Sequence, residues 1–253
     1  MPTIERNGVE VYYEVAGEGP AVLLSHGYSA TADMWRDQVA ALSDSYRVII
    51  WDMRGHGRSD YPEDDAQYSE ALTVDDMAAI LDACGGESAV IGGLSLGGYM
   101  SLAFNLKYPG RVKALMLFDT GPGYKSDTGR EGWNTTAMRW VSAFEAKALA
   151  ALSEIGSREM RNDAHRNAEG LIRAAKGMLC QFDSRVIESL PNVQVPTLVL
   201  VGADDTNFIA PTDYMAKKIP NATKVVLEGA GHAANLDKPE EFNAAVTKFL
   251  ESL

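Results

Sequence analysis

Short apolar runs recur along this chain at Ala21–Leu24, Val48–Trp51, Ala89–Ile91, Leu115–Phe118, Thr197–Val201 and Lys224–Leu227. Runs of this length with little or no polar alternation read as strands covered on both faces. Between them, Ala32–Leu42, Thr73–Cys84, Ser95–Tyr108, Thr212–Ile219 and Pro239–Leu250 carry apolar residues at three- and four-residue spacing, several behind a capping residue or a proline. Strand and helix in alternation predict an α/β fold, with a mostly parallel central sheet flanked by helices. At the start, Thr3–Arg6 and Val9–Val15 flank Asn7-Gly8, a dipeptide suited to the positive-φ positions of a tight hairpin.

The alternation stops between Gly121 and about Leu190, where the text is helical, as in "WNTTAMRWVSAFEAKALAAL". Residues 121–190 are therefore expected to form an inserted helical cap, with 1–120 and 191–253 as the core. Trp133, Ala137, Trp140, Val141, Phe144 and Ala148 would share one side of a helix. Packing against the core explains such a stripe, and Trp133, Trp140 and Phe144 are also the candidates for lining a substrate pocket.

A chain of 253 residues buries a core without covalent staples. Its 35 acidic and 23 basic residues give a formal charge of −12, which repels a nucleic-acid backbone at long range. Cys84 and Cys180 fit neither a disulfide framework nor a metal-binding spacing, so free buried thiols in a reducing compartment are expected. The opening "MPTIERNGVEV" lacks the apolar run of a signal peptide, and no stretch of about 18 uncharged apolar residues occurs. A soluble cytoplasmic protein with no membrane or nucleic-acid partner is the expectation. Its oligomeric state is left open.

Chemistry is concentrated in "IGGLSLGGY" (91–99), where Gly93-Leu94-Ser95-Leu96-Gly97 matches the Gly-x-Ser-x-Gly pattern after an apolar strand and at the start of a helix. Small residues two before and two after the serine let a sharp turn pass between strand and helix. The hydroxyl then sits at a helix N-terminus, where unpaired N–H groups favour developing negative charge. Gly92–Gly97 also has phosphate-loop spacing, but Gly98-Tyr99 stands where Lys and Ser/Thr belong, so a nucleotide site is excluded.

A serine nucleophile needs a general base, and the base needs an orienting acid. Of the four histidines, His26 and His56 follow early strands and His165 lies in the helical interval, whereas His232 follows the last strand between Gly231 and Pro239. His232 is the expected base. Asp204 and Asp205 end the strand "LVLVGADD" and Asp119 ends "ALMLFD", which leaves three candidates for the acid. The order serine, acid, histidine is the one given for α/β-hydrolases.

"LLSHGYSATADMW", "WDMRGHGRSD" and "GLSLGGYMSLAFNLKYPGRVKALMLFD" together resemble the oxyanion loop, the Asp-x-Arg-Gly-x-Gly-x-Ser loop and the nucleophile elbow of α/β-hydrolase fold serine hydrolases. The resemblance covers essentially the whole chain. It implies Asp205 as the acid, three residues after Gly202, and the N–H groups of Tyr28 and Leu96 as oxyanion donors. Arg54, His56 and Arg58 are read as loop structure, and His26 as shaping the oxyanion loop. Serine in place of aspartate argues against the family's dehalogenases and most of its epoxide hydrolases. The expected function is hydrolysis of small to medium carboxylic esters through an acyl-enzyme, with no metal or organic cofactor. Within the family the sequence resembles the enol-lactonase and cofactor-free haloperoxidase branch, so lactone hydrolysis, perhydrolysis and C–C bond hydrolysis are alternatives. A hydrolase-like small-molecule receptor is the non-enzymatic alternative.

Overall fold

The computed structural model describes residues 2–154, 157–161 and 163–253. In chain order the elements are β1 (Thr3–Arg6), β2 (Val9–Ala16), β3 (Ala21–Ser25), α1 (Arg36–Leu42), β4 (Arg47–Trp51), α2 (Glu70–Ala83), β5 (Ala89–Leu94), α3 (Leu96–Lys107) and β6 (Val112–Phe118). Then follow α4 (Asp127–Lys147), α5 (Ala151–Glu154), α6 (Ala168–Ala174), α7 (Arg185–Ser189), β7 (Thr197–Gly202), α8 (Thr206–Lys218), β8 (Ala222–Leu227), α9 (Ala234–Asp237) and α10 (Pro239–Leu250). The strands form one eight-stranded sheet in the order β1-β2-β4-β3-β5-β6-β7-β8. Pairs β1·β2 and β2·β4 are antiparallel, and all others are parallel. The fold is α/β, with helices on both faces of a mostly parallel sheet.

Alternate residues of the central strands enter different cores, as the pleat requires. Val22, Leu24, Ile50, Met116 and Leu200 pack with Trp35, Phe242 and Val246 on the face covered by α1 and α10. Leu23, Ile49, Ile91, Leu115 and Val199 join Met77, Met100 and Met215 on the face covered by α2, α3 and α8. Every residue of β3, β5 and β7 is buried, which accounts for the unbroken apolar text that marked them.

Several elements differ from the sequence expectation, among them α2, which begins at Glu70 rather than Thr73. The helix expected over 32–42 is a 3₁₀ turn at Ala32–Trp35 followed by α1. α8 starts at Thr206 rather than after Pro211, which lies inside it. Asp205 occupies the position before its first turn, three residues after β7 ends at Gly202. A short helix, α9, separates His232 from Pro239. In α4, Ala137, Val141 and Phe144 are buried as the stripe predicts, but Ala148 falls outside the helix with φ 48°. Cys84 and Cys180 are free thiols, half-buried rather than buried. Among the described residues between β6 and β7 all regular structure is helical, and no described helix is long and apolar enough to cross a membrane.

Candidate active site

The connections from β3 and β5 leave the sheet on opposite sides, since β4 lies beyond β3 and β6 beyond β5. Such a switch point opens a crevice at the carboxyl ends of parallel strands, the usual ligand position in open α/β sheets. Ser95 stands there, between β5 and α3, with φ 54° and ψ −116°. A non-glycine residue in that region costs about 1–3 kcal/mol and persists only where its surroundings enforce it. Enforcement comes from two sides: the Ser95 N–H donates to the Phe118 carbonyl at 2.9 Å, and the Thr120 hydroxyl donates to the Ser95 carbonyl at 2.6 Å.

The glycines around Ser95 are there because backbone passes where a side chain would be. A Cβ at Gly93 would lie 2.4 Å from the Gly97 carbonyl carbon, and one at Gly97 would lie 2.2 Å from the Ser25 carbonyl oxygen. Gly98 is equally constrained, its missing Cβ falling 2.5 Å from Thr120 Cγ2. The loop after β3 closes on the same point, since a Cβ at Gly27 would be 3.5 Å from Ser95 Cβ. Tyr28 follows Gly27, and Leu96 is the first residue of α3, whose first-turn N–H groups have no intrahelical acceptor.

His232 follows β8, and its Nδ1 lies 2.7 Å from Asp205 Oδ2. Facing a carboxylate, Nδ1 carries the proton and donates it, leaving Nε2 as the acceptor nitrogen. Burial disfavours the imidazolium, but the hydrogen bond and charge of Asp205, supplemented by Glu159 and Asp119, outweigh it and raise the His232 pKa above its ordinary value. The three candidate acids separate by position. Asp205 is buried and engages His232, whereas Asp204 is exposed. Asp119 is buried with φ 45° and accepts the Gly202 N–H at 2.8 Å, so it braces the turn that carries Asp205. Burial raises the Asp119 pKa well above the usual carboxylate range, against the opposing pull of the Gly202 N–H and His232.

Two chambers meet at Ser95. The larger, about 620 Å³, runs between Thr120, Tyr124, Gln181, Phe208 and Tyr214. The smaller, about 240 Å³, is bounded by Gly27, Tyr28, Trp140, Glu159, Asp205 and His232. Trp133, Asn207 and Phe208 border both. Of the pocket candidates, Trp133 and Trp140 line these chambers and Phe144 does not. One turn beyond Trp140, Phe144 is buried with its ring edge-on to Tyr28, 6.4 Å between centroids, so it supports the wall from behind. Thr120, Glu159, Asn207 and Phe208 were not marked by the sequence, since none sits in a local pattern. The Phe208 ring lies 5.0 Å from that of His232.

The other histidines form a buried cluster beneath the loop after β3, each bridging two backbone groups. His26 donates from Nδ1 to the Gly27 carbonyl at 2.7 Å and accepts the Met53 N–H at Nε2. His56 donates to the Arg54 carbonyl and accepts the Ser29 N–H. His165 accepts the Gly57 N–H at Nδ1 and donates from Nε2 to the Ser29 carbonyl at 2.9 Å. Each ring therefore needs one bare nitrogen. Burial depresses all three pKa values, that of His26 to about 4. Arg54 makes a paired hydrogen bond with buried Asp76, and Arg58 binds Asp52, whose other oxygen holds the Ala32 N–H.

Comparison with known proteins agrees with this architecture. The model of the Alpha/beta hydrolase family matches residues 22–245. The 3-oxoadipate enol-lactonase 1 of Acinetobacter baylyi is 28% identical over an alignment covering 98% of this chain and 96% of its own length. A thermophilic esterase from Thermogutta terrifontis is 31% identical with a TM-score of 0.79, covering 99% of this chain and 96% of that one. The bromoperoxidase from Bacillus anthracis superposes with a TM-score of 0.77 at 25% identity, over 96% of each chain. The chain belongs to the alpha/beta hydrolase family.

Proposed function

We propose that the protein is a serine hydrolase that cleaves small to medium carboxylic esters through an acyl-enzyme on Ser95. The observation that carries this reading is the 2.7 Å contact between His232 Nδ1 and Asp205 Oδ2 at the wall of the chamber that Ser95 also lines. Nε2 of His232 takes the Ser95 proton, and the alkoxide attacks the ester carbonyl. The N–H groups of Tyr28 and Leu96 then hold the oxyanion, each worth about 10²–10³ in rate because the charge they face exists only as the tetrahedral species forms. His232 protonates the departing alcohol, and water repeats the sequence to release the acid. Asp205 fixes the His232 tautomer and stabilises the imidazolium. Residues 121–190 act as the lid, supplying Trp133 and Trp140 to the pocket walls.

Lactone hydrolysis is the second reading, favoured by the similarity to the Acinetobacter enol-lactonase. A lactone is an internal ester, and the same steps open it without a leaving group departing. The test is a panel of p-nitrophenyl esters, aliphatic esters and an enol-lactone, together with peracid formation, run with the wild type and Ser95→Ala. Multiple turnover of open-chain esters, lost in Ser95→Ala with folding intact, supports the esterase reading. Turnover confined to the lactone or to perhydrolysis overturns it. Binding of esters without turnover would instead make the protein a receptor.

A further inference from the structure

The two chambers are unequal in chemistry as well as volume. His232 borders the smaller chamber and is not among the described residues of the larger. The imidazole must hand its proton to the departing oxygen, so the alcohol part of an ester lies in the smaller chamber and the acyl part in the larger. Among the described lining residues of both chambers there is no lysine or arginine. The undescribed residues, Met1, Ile155, Gly156 and Asn162, have no charged side chain to add. The smaller chamber instead carries a carboxyl beyond the Asp205–His232 pair: Glu159, buried at 7% exposure.

The arginine next to it in sequence is committed elsewhere. Arg158 donates to the Leu236 carbonyl at 2.7 Å and lies 3.6 Å from Asp237, with its side chain largely in solvent. An anionic group entering the smaller chamber would lose its water and find no lysine or arginine there, only His232, which already faces Asp205. Ionised, Glu159 repels it; protonated, Glu159 leaves it unpaired. Burial raises the Glu159 pKa above the usual carboxylate range, and the nearby His232 pulls the other way. A neutral alcohol meets none of these costs, and a cationic one gains the charge of the ionised Glu159 in a chamber also lined by the rings of Trp133, Trp140 and Phe208.

We propose that Glu159 is a specificity-determining residue of the alcohol chamber, and that the substrates are esters of uncharged or cationic alcohols, with anionic alcohols excluded. This rests on the esterase reading above. The experiment uses three hexanoate esters that share one acyl group: those of 1-propanol, of 3-hydroxypropanoate and of choline, each followed by hexanoate release. The expected kcat/KM for the 3-hydroxypropanoate ester is about 50-fold below that of the propyl ester, with the choline ester at least equal to propyl. In Glu159→Gln the gap between anionic and propyl esters narrows about 5-fold, mainly through KM, and the preference for choline falls; Glu159→Asp keeps both. Equal rates on the anionic and propyl esters in the wild type overturn the proposal, as does a gap that Glu159→Gln leaves unchanged. Failure of the wild type to cleave the propyl and choline esters overturns the esterase reading itself, and this inference with it.

Discussion

The Tyr28 hydroxyl donates to the Leu171 carbonyl at 2.8 Å, fastening the loop after β3 to α6. The next residue, Ser29, is held by His165, in the segment just before α6, whose Nε2 donates to the Ser29 carbonyl at 2.9 Å. The Tyr28 N–H, proposed as an oxyanion donor, thus takes its position from residues about 140 places further along the chain. The loop after β3 and the segment around α6 are joined by hydrogen bonds.

Replacing Tyr28 by Phe keeps the ring contacts with Trp140 and Phe144 and removes only the tether. The expected result is a fall in kcat of about 10-fold, since small displacements of a catalytic group are costly. The stability loss should be about 1–2 kcal/mol, the cost of one unmet buried acceptor. Ester turnover and thermal unfolding of the same preparation check both.

The raised His232 pKa fixes the direction of the pH profile. Only the neutral imidazole can accept the Ser95 proton, so kcat/KM should fall on the acid side with a midpoint above the ordinary 6.5. Asp205→Asn removes the hydrogen bond and charge that hold the pKa up, and the midpoint should move down. It should also lower kcat by about 10⁴, because the amide no longer secures the tautomer. Initial rates between pH 5 and about 9 for both proteins measure the shift.

Gly97→Ala places a methyl group 2.2 Å from the Ser25 carbonyl oxygen, which is strand backbone and cannot rotate away. A loss of at least about 3 kcal/mol is expected, at the upper end for overpacking. Gly98→Ala meets the Thr120 side chain instead, which can rotate but then releases the Ser95 carbonyl. Denaturant melts of the two variants should rank Gly97→Ala as the less stable. Gly98→Ala should lose activity out of proportion to stability.

His26 links stability to pH. Its pKa is about 4 in the folded protein and ordinary, about 6.5, in the unfolded chain, so the unfolded chain binds the proton first as pH falls. Its contribution is complete above pH 6.5 and is lost progressively down to about 4, amounting to about 3 kcal/mol. His232, whose pKa is raised in the folded protein, adds its slope in the opposite sense and mainly above pH 6.5. Unfolding free energies of wild type and His26→Asn should therefore converge by about that amount between pH 7 and 4.5. A constant difference between the two curves contradicts the neutral, buried assignment.

What the sequence made legible was what local chemistry encodes. The apolar runs of β3, β5 and β7 are unbroken because both faces are covered, and the glycines flanking Ser95 mark a turn that only small residues can make. His232 stood out because its neighbours signal a loop after the last strand. The choice among Asp119, Asp204 and Asp205 depends on which way each leaves its strand, a matter of backbone twist that composition does not express. Pro211 reads as a helix boundary but lies within α8, because the helix is set by the turn at Asp205. Glu159 carries no motif at all and becomes significant only when the helices after β6 fold over His232. Trp140 and Phe144, on the same predicted face, part company because the cavity ends between them.

The central claim is that Ser95 is acylated during turnover. Wild-type protein mixed with excess p-nitrophenyl hexanoate, quenched in acid within the first turnover and digested for peptide mass analysis, tests it directly. A hexanoyl mass increment confined to the peptide containing Ser95, and absent from Ser95→Ala, is the predicted result. Steady ester cleavage by Ser95→Ala at the wild-type rate, or an increment on a different residue, would contradict the account.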